Sequence, residues 1–323
     1  MDRRTFVSAA VSAPVMLVTS RVHAESFPSK TINWVVPYTP GGSTDTVART
    51  LGKEIGSMLD QNVVIENKPG AGSNIGTQAV IRAPADGYTL LLAVPPLAVN
   101  AALYPELAFD AQKELKAVCL LAWNPNVLVV HADSKIQTAQ QLLEEARAHP
   151  GAITIASPGV GTVPHLVSLL IGQQLGIQVV PVPYKGSAAL MPDLHSGRVS
   201  SAMDNLFGQL PSIRSGRVRA LATLGDTRSP LLPDVPSMGE LGLSNLVGMG
   251  WIGVVVRADV PQDRSRKLEE ALIKAVQTPS VKQQLEGLGL EVAAQGQQAF
   301  TEFMLSEANR WQNTIRKAGV SVG

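Results

Sequence analysis

The sequence predicts an α/β protein of two domains, joined by a hinge with a ligand cleft between them. Short β-branched runs alternate with segments of helical periodicity from residue 31 onward. A second series of the same kind begins near residue 126, and three helical stretches close the chain. A length of 323 residues fits two domains, and a hydrophobic content of 45% is enough for sizeable cores.

The first domain begins with a βαβαβ pattern. We predict strands at 31–36, 62–67 and 88–94, with the helices "DTVARTLGKEIGSML" and "NIGTQAVIRA" between them. Parallel neighbours need such crossover connections, so the pattern indicates a parallel sheet covered on both faces. The apolar side chains of the first helix fall on one face, which we expect to be buried: Val47, Ala48, Leu51, Ile55, Met58 and Leu59.

The second domain repeats this alternation. Its predicted strands and helices follow in the order "NVLVV", "TAQQLLEEARAH", "AITIAS", "PHLVSLLIGQQLG", "QVVPVPY", "ALMPDLHSG", "VSSAMDN", "LFGQLPSIRSG" and "VRALATL". Thr138 is the expected N-cap of the first of these helices. After a segment rich in proline comes another apolar strand, "GWIGVVV".

The C-terminal helices predict how the chain is divided between the domains. The last helix carries Phe300, Phe303, Met304 and Trp311 at helical spacing, which is typical of core packing. We expect this helix to dock on the first domain. The chain would then cross between domains near 122–126 and near 240–250. The predicted division is 25–124 with 245–323 for domain 1, and 125–244 for domain 2.

The N-terminus is typical of a cleaved signal peptide, residues 1–24. It has a basic start, an apolar run too short to span a bilayer, and small residues at Val22 and Ala24. Arg3 and Arg4 leave a twin-arginine route open. Removing this segment lowers Lys+Arg from 27 to 24 and Asp+Glu from 26 to 25, so the net charge becomes −1. Such a charge favours neither nucleic acid nor an anionic membrane as a partner.

The motifs of enzymes and metalloproteins are weak or missing from the sequence. Cys119 is the only cysteine, which excludes an intrachain disulfide and a cysteine zinc cluster. No metal-ligand spacing and no P-loop is present, and the glycines of "GAGSNIG" lack the acidic residue of a dinucleotide site. His165 adjoins a glycine loop, where a helix-end hydrogen bond is favoured over a catalytic base. We expect no cofactor, no metal and no catalytic residue.

Four loops rich in glycine, serine and threonine follow predicted strands: "PYTPGGSTD", "NKPGAGSNIG", "ASPGVGTVPHL" and "VPYKGSAAL". In open α/β sheets, ligands bind at this edge. Gly41 and Gly42 allow a close approach to backbone N–H groups, and Ser43 or Thr44 is expected to cap the following helix. Together, the four loops predict a pocket for a small anion.

Three charged residues in or near these loops each allow two interpretations. Asp45 lies in the first turn of a helix, where it either stabilises the helix dipole or accepts from a ligand amine or loop amides. Asp204 either points into the cleft or ends a strand at the edge of the core. Lys185 is either the cation for an acidic ligand or a solvated surface lysine.

These motifs together resemble the Bug-type receptors, the extracytoplasmic solute-binding proteins of tripartite tricarboxylate transporters. The resemblance rests on "VPYTPGGSTDTVARTL", "VIENKPGAGSNIGTQAV", "PADGYTLLLA", "GVGTVPHL", "VPYKGSAALMPDL", "LPDVPSMGELG" and "EFMLSEANRWQNTIRKAG". It covers nearly the whole chain after residue 24. It implies a periplasmic-binding-protein-like fold that closes over its ligand, a periplasmic location and no catalysis.

The resemblance also implies a set of ligand-binding residues. One ligand carboxylate would bind the loop of Gly41, Gly42, Ser43 and Thr44, beside the turn of Gly72, Ser73 and Asn74. The other lobe would contribute Gly159, Gly161 and Thr162, and the loop of Tyr184, Lys185 and Gly186. Asp45 belongs to the first loop, Asp204 falls at the family's matching aspartate, and Tyr38 stands where an aromatic residue is usual. Val163 would make one wall more apolar, favouring a more hydrophobic acid.

The implied function is capture of a small organic acid for delivery to transporter membrane subunits, by a receptor expected to be a monomer. A sensor that presents the closed form to a signalling partner is an alternative with the same sequence features. A small-molecule enzyme is a second alternative.

Overall fold

A computed structural model describes residues 27–104 and 106–319, and the predicted signal peptide lies outside these residues. The strands are β1 (Ile32–Val36), β2 (Val63–Asn67), β3 (Thr89–Ala93), β4 (Leu115–Asn124), β5 (Asn126–His131), β6 (Thr154–Ser157), β7 (Val180–Pro183), β8 (Ser201–Asn205), β9 (Val218–Thr223), β10 (Gly250–Arg257) and β11 (Glu291–Gln295). The helices are α1 (Ser43–Leu59), α2 (Asn74–Ile81), α3 (Pro96–Leu103), α4 (Ala111–Glu114), α5 (Ala139–Ala148), α6 (Val163–Leu175), α7 (Ser187–His195), α8 (Leu206–Arg214), α9 (Gln262–Gln277), α10 (Pro279–Gly287) and α11 (Gln297–Ala318).

The first sheet has the strand order β11-β4-β10-β3-β1-β2. β1 pairs in parallel with β2 and with β3, as the βαβαβ pattern predicts. β10 runs antiparallel to both β3 and β4, and β11 runs antiparallel to β4. This sheet and the helices packed on it form the first lobe.

The second sheet has the order β7-β6-β8-β5-β9 and forms, with its helices, the second lobe. β6 is parallel to β7 and β8, whereas β5 is antiparallel to β8 and β9. A single residue, Pro125, separates β4 of the first sheet from β5 of the second. The return crossing lies in the segment between β9 and β10. Sheet membership does not fix where each lobe ends, so the domain boundaries stay a prediction.

The first helix buries most of its predicted apolar face. Four of these side chains of α1 are fully buried: Val47, Ala48, Leu51 and Ile55. The prediction is wrong for Met58, which is 36% exposed, while Leu59 is partly buried against the core. Met58 lies in the last turn of the helix. Helical periodicity identifies a face, but not how far along the helix that face is covered.

The C-terminal helix joins the cores of the two lobes. α11 packs on α3 and β4 of the first lobe, as predicted, and also on α6 of the second. Its Phe300 and Trp311 are fully buried, and Phe303 and Met304 pack at the edge of the same apolar cluster. In residues 27–104 and 106–319, no helix has the length and apolar character needed to cross a membrane.

Candidate functional site

The first glycine loop connects the carboxyl end of β1 to α1. Gly42 occupies the N-cap position in an extended conformation, and no side chain within the described ranges caps the helix. The expected cap by Ser43 or Thr44 is therefore wrong, because both residues already lie inside the first helical turn. A Cβ atom added at Gly41 or Gly42 would meet nothing within 4 Å. The space beside Gly41 and Gly42 is therefore open at the N-terminus of α1, the positive end of the helix dipole.

Asp45 holds this loop in place. Its carboxylate accepts from the Gly41 N–H and from Arg49 Nε, both at 2.9 Å, and from Asn67 Nδ2 at 3.0 Å. Burial acts to raise the pKa of Asp45, but the hydrogen bonds from Arg49, Gly41 and Asn67 outweigh it and hold the pKa below its ordinary value. Of the two interpretations of Asp45, the structure therefore favours the one in which its carboxylate accepts a hydrogen bond from a loop amide.

Tyr38 ties the first loop to the end of β2. Its carbonyl oxygen accepts from Asn67 Nδ2 at 3.0 Å. Burial of its ring, together with the neighbouring Tyr104, raises the pKa of Tyr38 to about 12. The phenol is therefore a neutral hydrogen-bond donor at physiological pH.

The second loop forms a one-turn 3-10 helix, Ala71–Ser73, before α2. Asn100 on α3 donates to the Gly72 carbonyl and to Asn74 Oδ1, both at 2.7 Å. The Ser73 side chain is 3% exposed, and its hydroxyl has no hydrogen-bond partner in the described chain. An unpaired buried hydroxyl is costly, so Ser73 is suited to bind an added oxygen. No sequence pattern pointed to Asn100, which supports the loop from outside it.

In the second lobe, the loop between β6 and α6 is held by its own polar groups. The Thr162 hydroxyl donates to the Gly159 carbonyl at 2.7 Å and, as N-cap, accepts from the His165 N–H at 3.4 Å. His165 Nδ1 accepts from the Gly161 N–H at 3.4 Å, and burial lowers the pKa of His165. This neutral, helix-end role is the favoured interpretation of His165.

Ser157 is a further candidate, which no sequence pattern indicated. It ends β6, is fully buried, and its hydroxyl has no partner among residues 27–104 and 106–319. Its carbonyl accepts from the Tyr184 N–H at 2.8 Å. The motif "ASPGVGT" contains this serine, but only the three-dimensional packing shows that its hydroxyl is unpaired.

The loop of Tyr184, Lys185 and Gly186 packs directly on the Ser157–Thr162 segment. The Gly186 N–H donates to the Pro158 carbonyl at 2.7 Å. The Tyr184 hydroxyl donates to Asp193 at 2.7 Å, so its side chain is committed to α7. Lys185 is exposed and makes no ion pair in the described part of the chain.

Asp204 is fully buried at the end of β8. It accepts from Ser187 Oγ at 2.7 Å, from the Asn205 N–H at 2.8 Å and from Gln209 Nε2 at 2.8 Å. Burial raises the pKa of Asp204 despite these donors. Its carboxylate thus fixes the starts of α7 and α8 and has no surface in the cleft, which matches the core-edge interpretation.

The expectation for Val163 is wrong. This side chain is 2% exposed, and a Cβ on Gly248 would lie 2.7 Å from its Cγ1. Val163 therefore packs in the core against the return crossing and contributes no wall to a ligand site. The apolar preference inferred from it has no basis.

The loops of the two lobes meet at α3. A Cβ on Gly161, whose φ is +76°, would lie 2.5 Å from Leu103 Cδ1 and 3.9 Å from Val99 Cγ2. Gly161 thus contacts the same helix whose Asn100 holds Gly72. α3 therefore contacts both loops that carry an unpaired buried hydroxyl in the described chain, the loop of Ser73 and the loop that follows Ser157.

Two hinged α/β lobes with facing glycine loops define the class of two-domain solute-binding proteins. The sequence model of the tripartite tricarboxylate transporter family receptor, TctC, matches residues 47–320. The chain belongs to this family, whose members are solute-binding receptors and not enzymes.

Relatives and solved structures agree with this membership. BugT of Bordetella pertussis is 33% identical over 317 residues, covering 98% of this chain and 95% of BugT. The structure of R. palustris Rpa4515 with adipate superposes with a TM-score of 0.83 at 28% identity, covering 91% of this chain and 99% of that one. The structure of MatC of Rhodopseudomonas palustris with bound malate has a TM-score of 0.79 at 29% identity, covering 90% of this chain and 100% of that one.

Proposed function

We propose that this chain is a periplasmic receptor that binds a small organic acid between its lobes and delivers it to the membrane subunits of a tripartite tricarboxylate-type transporter. In this proposal, residues 1–24 direct export, by the general or the twin-arginine route, and the receptor acts as a monomer. The observation that carries it is the uncapped first turn of α1, with open space at Gly41 and Gly42.

The chemistry of this turn suits a carboxylate. Backbone N–H groups at a helix N-terminus bind anions through hydrogen bonds and through the helix dipole. The Ser73 hydroxyl of the second loop has no partner in the described residues, and a ligand oxygen would supply one. Of the site residues proposed from the sequence, Tyr184, Asp204 and Asp45 direct their side-chain polar groups to other parts of the protein. Those three position the loops.

The second lobe completes the proposed site on closure. Ser157 offers a hydroxyl that is buried and unpaired in the described chain, and the N–H groups of Gly159 and Val160 are not engaged there, unlike those of Gly161 and Thr162. Closing the lobes excludes water and strengthens these hydrogen bonds, because the local dielectric constant falls. The related proteins with adipate and with malate support a dicarboxylate as the ligand of this chain.

The proposal is tested by calorimetric titration of protein that has been unfolded and refolded to remove co-purified ligand. Adipate, malate and a wider panel of organic acids are compared with adipamide, which has the shape of adipate without its charges. We expect saturable binding of at least one acid and none of adipamide. Absence of binding across the panel, or equal binding of adipamide, would contradict the proposal.

A matched pair of glycine variants locates the ligand. Gly42 has a φ of −81°, and a Cβ there meets nothing, so Gly42→Ala should fold normally while its methyl group obstructs the N–H groups of α1. We expect at least tenfold weaker acid binding. Gly287, in α10, also has open space for a Cβ, so Gly287→Ala is the control. Unchanged affinity in Gly42→Ala would contradict a carboxylate bound at α1.

The partner is tested separately by capture of membrane proteins on the acid-loaded receptor. Recovery of the transporter subunits supports delivery for transport. Recovery of a membrane sensor instead would favour the signalling alternative.

A further inference from the structure

A cavity of about 330 Å³ lies at the hinge, and we call it the hinge cavity. Both crossings between the lobes line it, through Trp123 and Pro125 on one side and Val247 and Met249 on the other. The loop after β9 contributes its second-lobe wall. The start of β11 and one face of α11 contribute its first-lobe wall.

The hinge cavity is separate from the proposed carboxylate site. The glycine loops follow β1 and β2 in the first sheet, whereas the cavity adjoins β4 and β11 at the opposite end of the strand order. In the second sheet, the glycine loops follow β6 and β7, and the cavity follows β9 at the other end. With neighbouring strands about 4.8 Å apart, β1 and β4 are separated by roughly 14 Å. The hinge strands lie between the two sites.

Two polar groups in the hinge cavity lack a protein partner. The Thr223 side chain is 2% exposed, and its hydroxyl has no hydrogen bond in the described residues. Glu291 is half-buried and makes no ion pair or side-chain hydrogen bond within 27–104 and 106–319, and burial raises its pKa. Both groups would gain from a donor placed between the walls.

The cations that line the cavity are already engaged. Arg228 pairs with both oxygens of Glu240 at 2.9 Å and donates to the Pro233 carbonyl at 2.8 Å. Arg310 donates to the Val247 carbonyl and lies over the Trp311 ring at 4.4 Å. Glu307, a further carboxylate of the lining, pairs with Arg310 at 3.7 Å. Of the charges that line the cavity in the described chain, Glu291 and the exposed Asp226 therefore remain without an ion pair.

The remaining wall is aromatic and apolar. The Trp123 and Phe303 rings meet edge to face with centroids 5.0 Å apart, and Met249 lies on the same lining. A carboxylate beside aromatic rings is the combination that binds organic ammonium ions, through an ion pair and cation–π attraction.

We propose that the hinge cavity is a second ligand site, for a small organic ammonium ion. The ammonium group donates to Glu291 and to the Thr223 hydroxyl, and the apolar part of the ligand packs against Trp123 and Phe303. This site does not depend on whether the cleft binds a carboxylate.

Benzylammonium is the probe, and benzyl alcohol, of similar shape without the charge, is its control. In calorimetric titrations without any organic acid, we expect saturable binding of benzylammonium and none of benzyl alcohol. No saturable binding, or equal binding of the alcohol, would overturn the proposal.

Three variants test the residues. Glu291→Gln should weaken benzylammonium binding at least tenfold, whereas Glu270→Gln, on an exposed face of α9, should leave it unchanged. Thr223→Val should weaken binding severalfold without lowering the melting temperature, because the hydroxyl it removes has no partner. Undiminished binding in both Glu291→Gln and Thr223→Val would overturn the proposal.

The position of the hinge cavity also predicts coupling between the two sites. Both crossings line the cavity, so a change of lobe angle changes its shape, and a ligand there binds the open and closed forms differently. With the cleft filled by an acid, we expect benzylammonium affinity to change at least threefold. Equal benzylammonium affinities with and without the acid would overturn the proposed coupling. The existence of the site itself is tested by the titrations without acid.

Discussion

Replacing Asp45 with asparagine removes the charge that organises the first glycine loop. The carboxylate accepts from Gly41, Arg49 and Asn67 at 2.9–3.0 Å and is almost fully buried. A hydrogen bond to a charged group contributes about 1.5–3 kcal/mol. The ion pair with the half-exposed Arg49 adds less than about 1 kcal/mol. Because asparagine keeps one acceptor oxygen, we expect a loss of about 2 kcal/mol, which is about 4–8 °C in Tm.

The pH dependence of this loss is a sharper test than its size. The folded-state pKa of Asp45 lies below its ordinary value of 3.8, because its hydrogen bonds outweigh its burial. The stabilisation is therefore complete above the pKa of the unfolded chain and is lost as pH falls through the lower folded pKa. The difference in unfolding free energy between wild type and Asp45→Asn should shrink as pH falls from 6 to below 4.

Urea unfolding at several pH values measures this difference. Asp60→Asn is the matched control, because Asp60 is exposed at the end of the same helix in a left-handed conformation that asparagine also adopts. A difference for Asp45→Asn that is absent at pH 6, or that grows toward low pH, would refute the proposed role of this carboxylate.

Three further predictions concern buried groups. Ser73→Ala removes an unpaired hydroxyl, so the Tm should not fall while acid affinity does; a lower Tm with unchanged affinity would contradict this. Gly161→Ala forces a side chain into a left-handed conformation and against Leu103. Thermal unfolding should therefore show a Tm that is lower by about 2–8 °C, and an unchanged Tm would refute the contact. Cys119 is fully buried and its pKa is raised by burial, so a thiol reagent at pH 8 should react only after unfolding.

The sequence predicted the elements whose patterns are local. The N-cap at Thr138 is confirmed, since its hydroxyl accepts from the Gln141 N–H at 3.1 Å. The alternation of strands and helices can be predicted from the spacing at which apolar side chains recur, because this spacing is visible within a short window of sequence. These signals were sufficient to predict the two lobes.

The elements that were missed depend on distant partners. β4 is a ten-residue, largely apolar strand, and its pairing with β10 joins segments more than a hundred residues apart. α3 begins at Pro96 after a second proline, and no helix was predicted there, although proline is favoured at the first helical position. Without these two elements, the contact between Gly161 and α3 could not be foreseen.

For the candidate site, the sequence predicted the loops better than the roles of their side chains. Gly41 and Gly42 do open the start of α1, but Tyr184 and Asp204 turn their polar groups toward neighbouring helices. Whether a hydroxyl such as that of Ser157 is paired depends on every residue packed around it. No spacing pattern in the sequence contains this information.

The central claim is that a ligand carboxylate binds the first N–H groups of α1. Amide NMR spectra of the refolded, ligand-free protein, titrated with the acid that binds most tightly, test it directly. We predict large downfield shifts of the Ser43 and Thr44 amide protons that saturate with the calorimetric binding curve. Saturated binding with these two signals unmoved would contradict the claim.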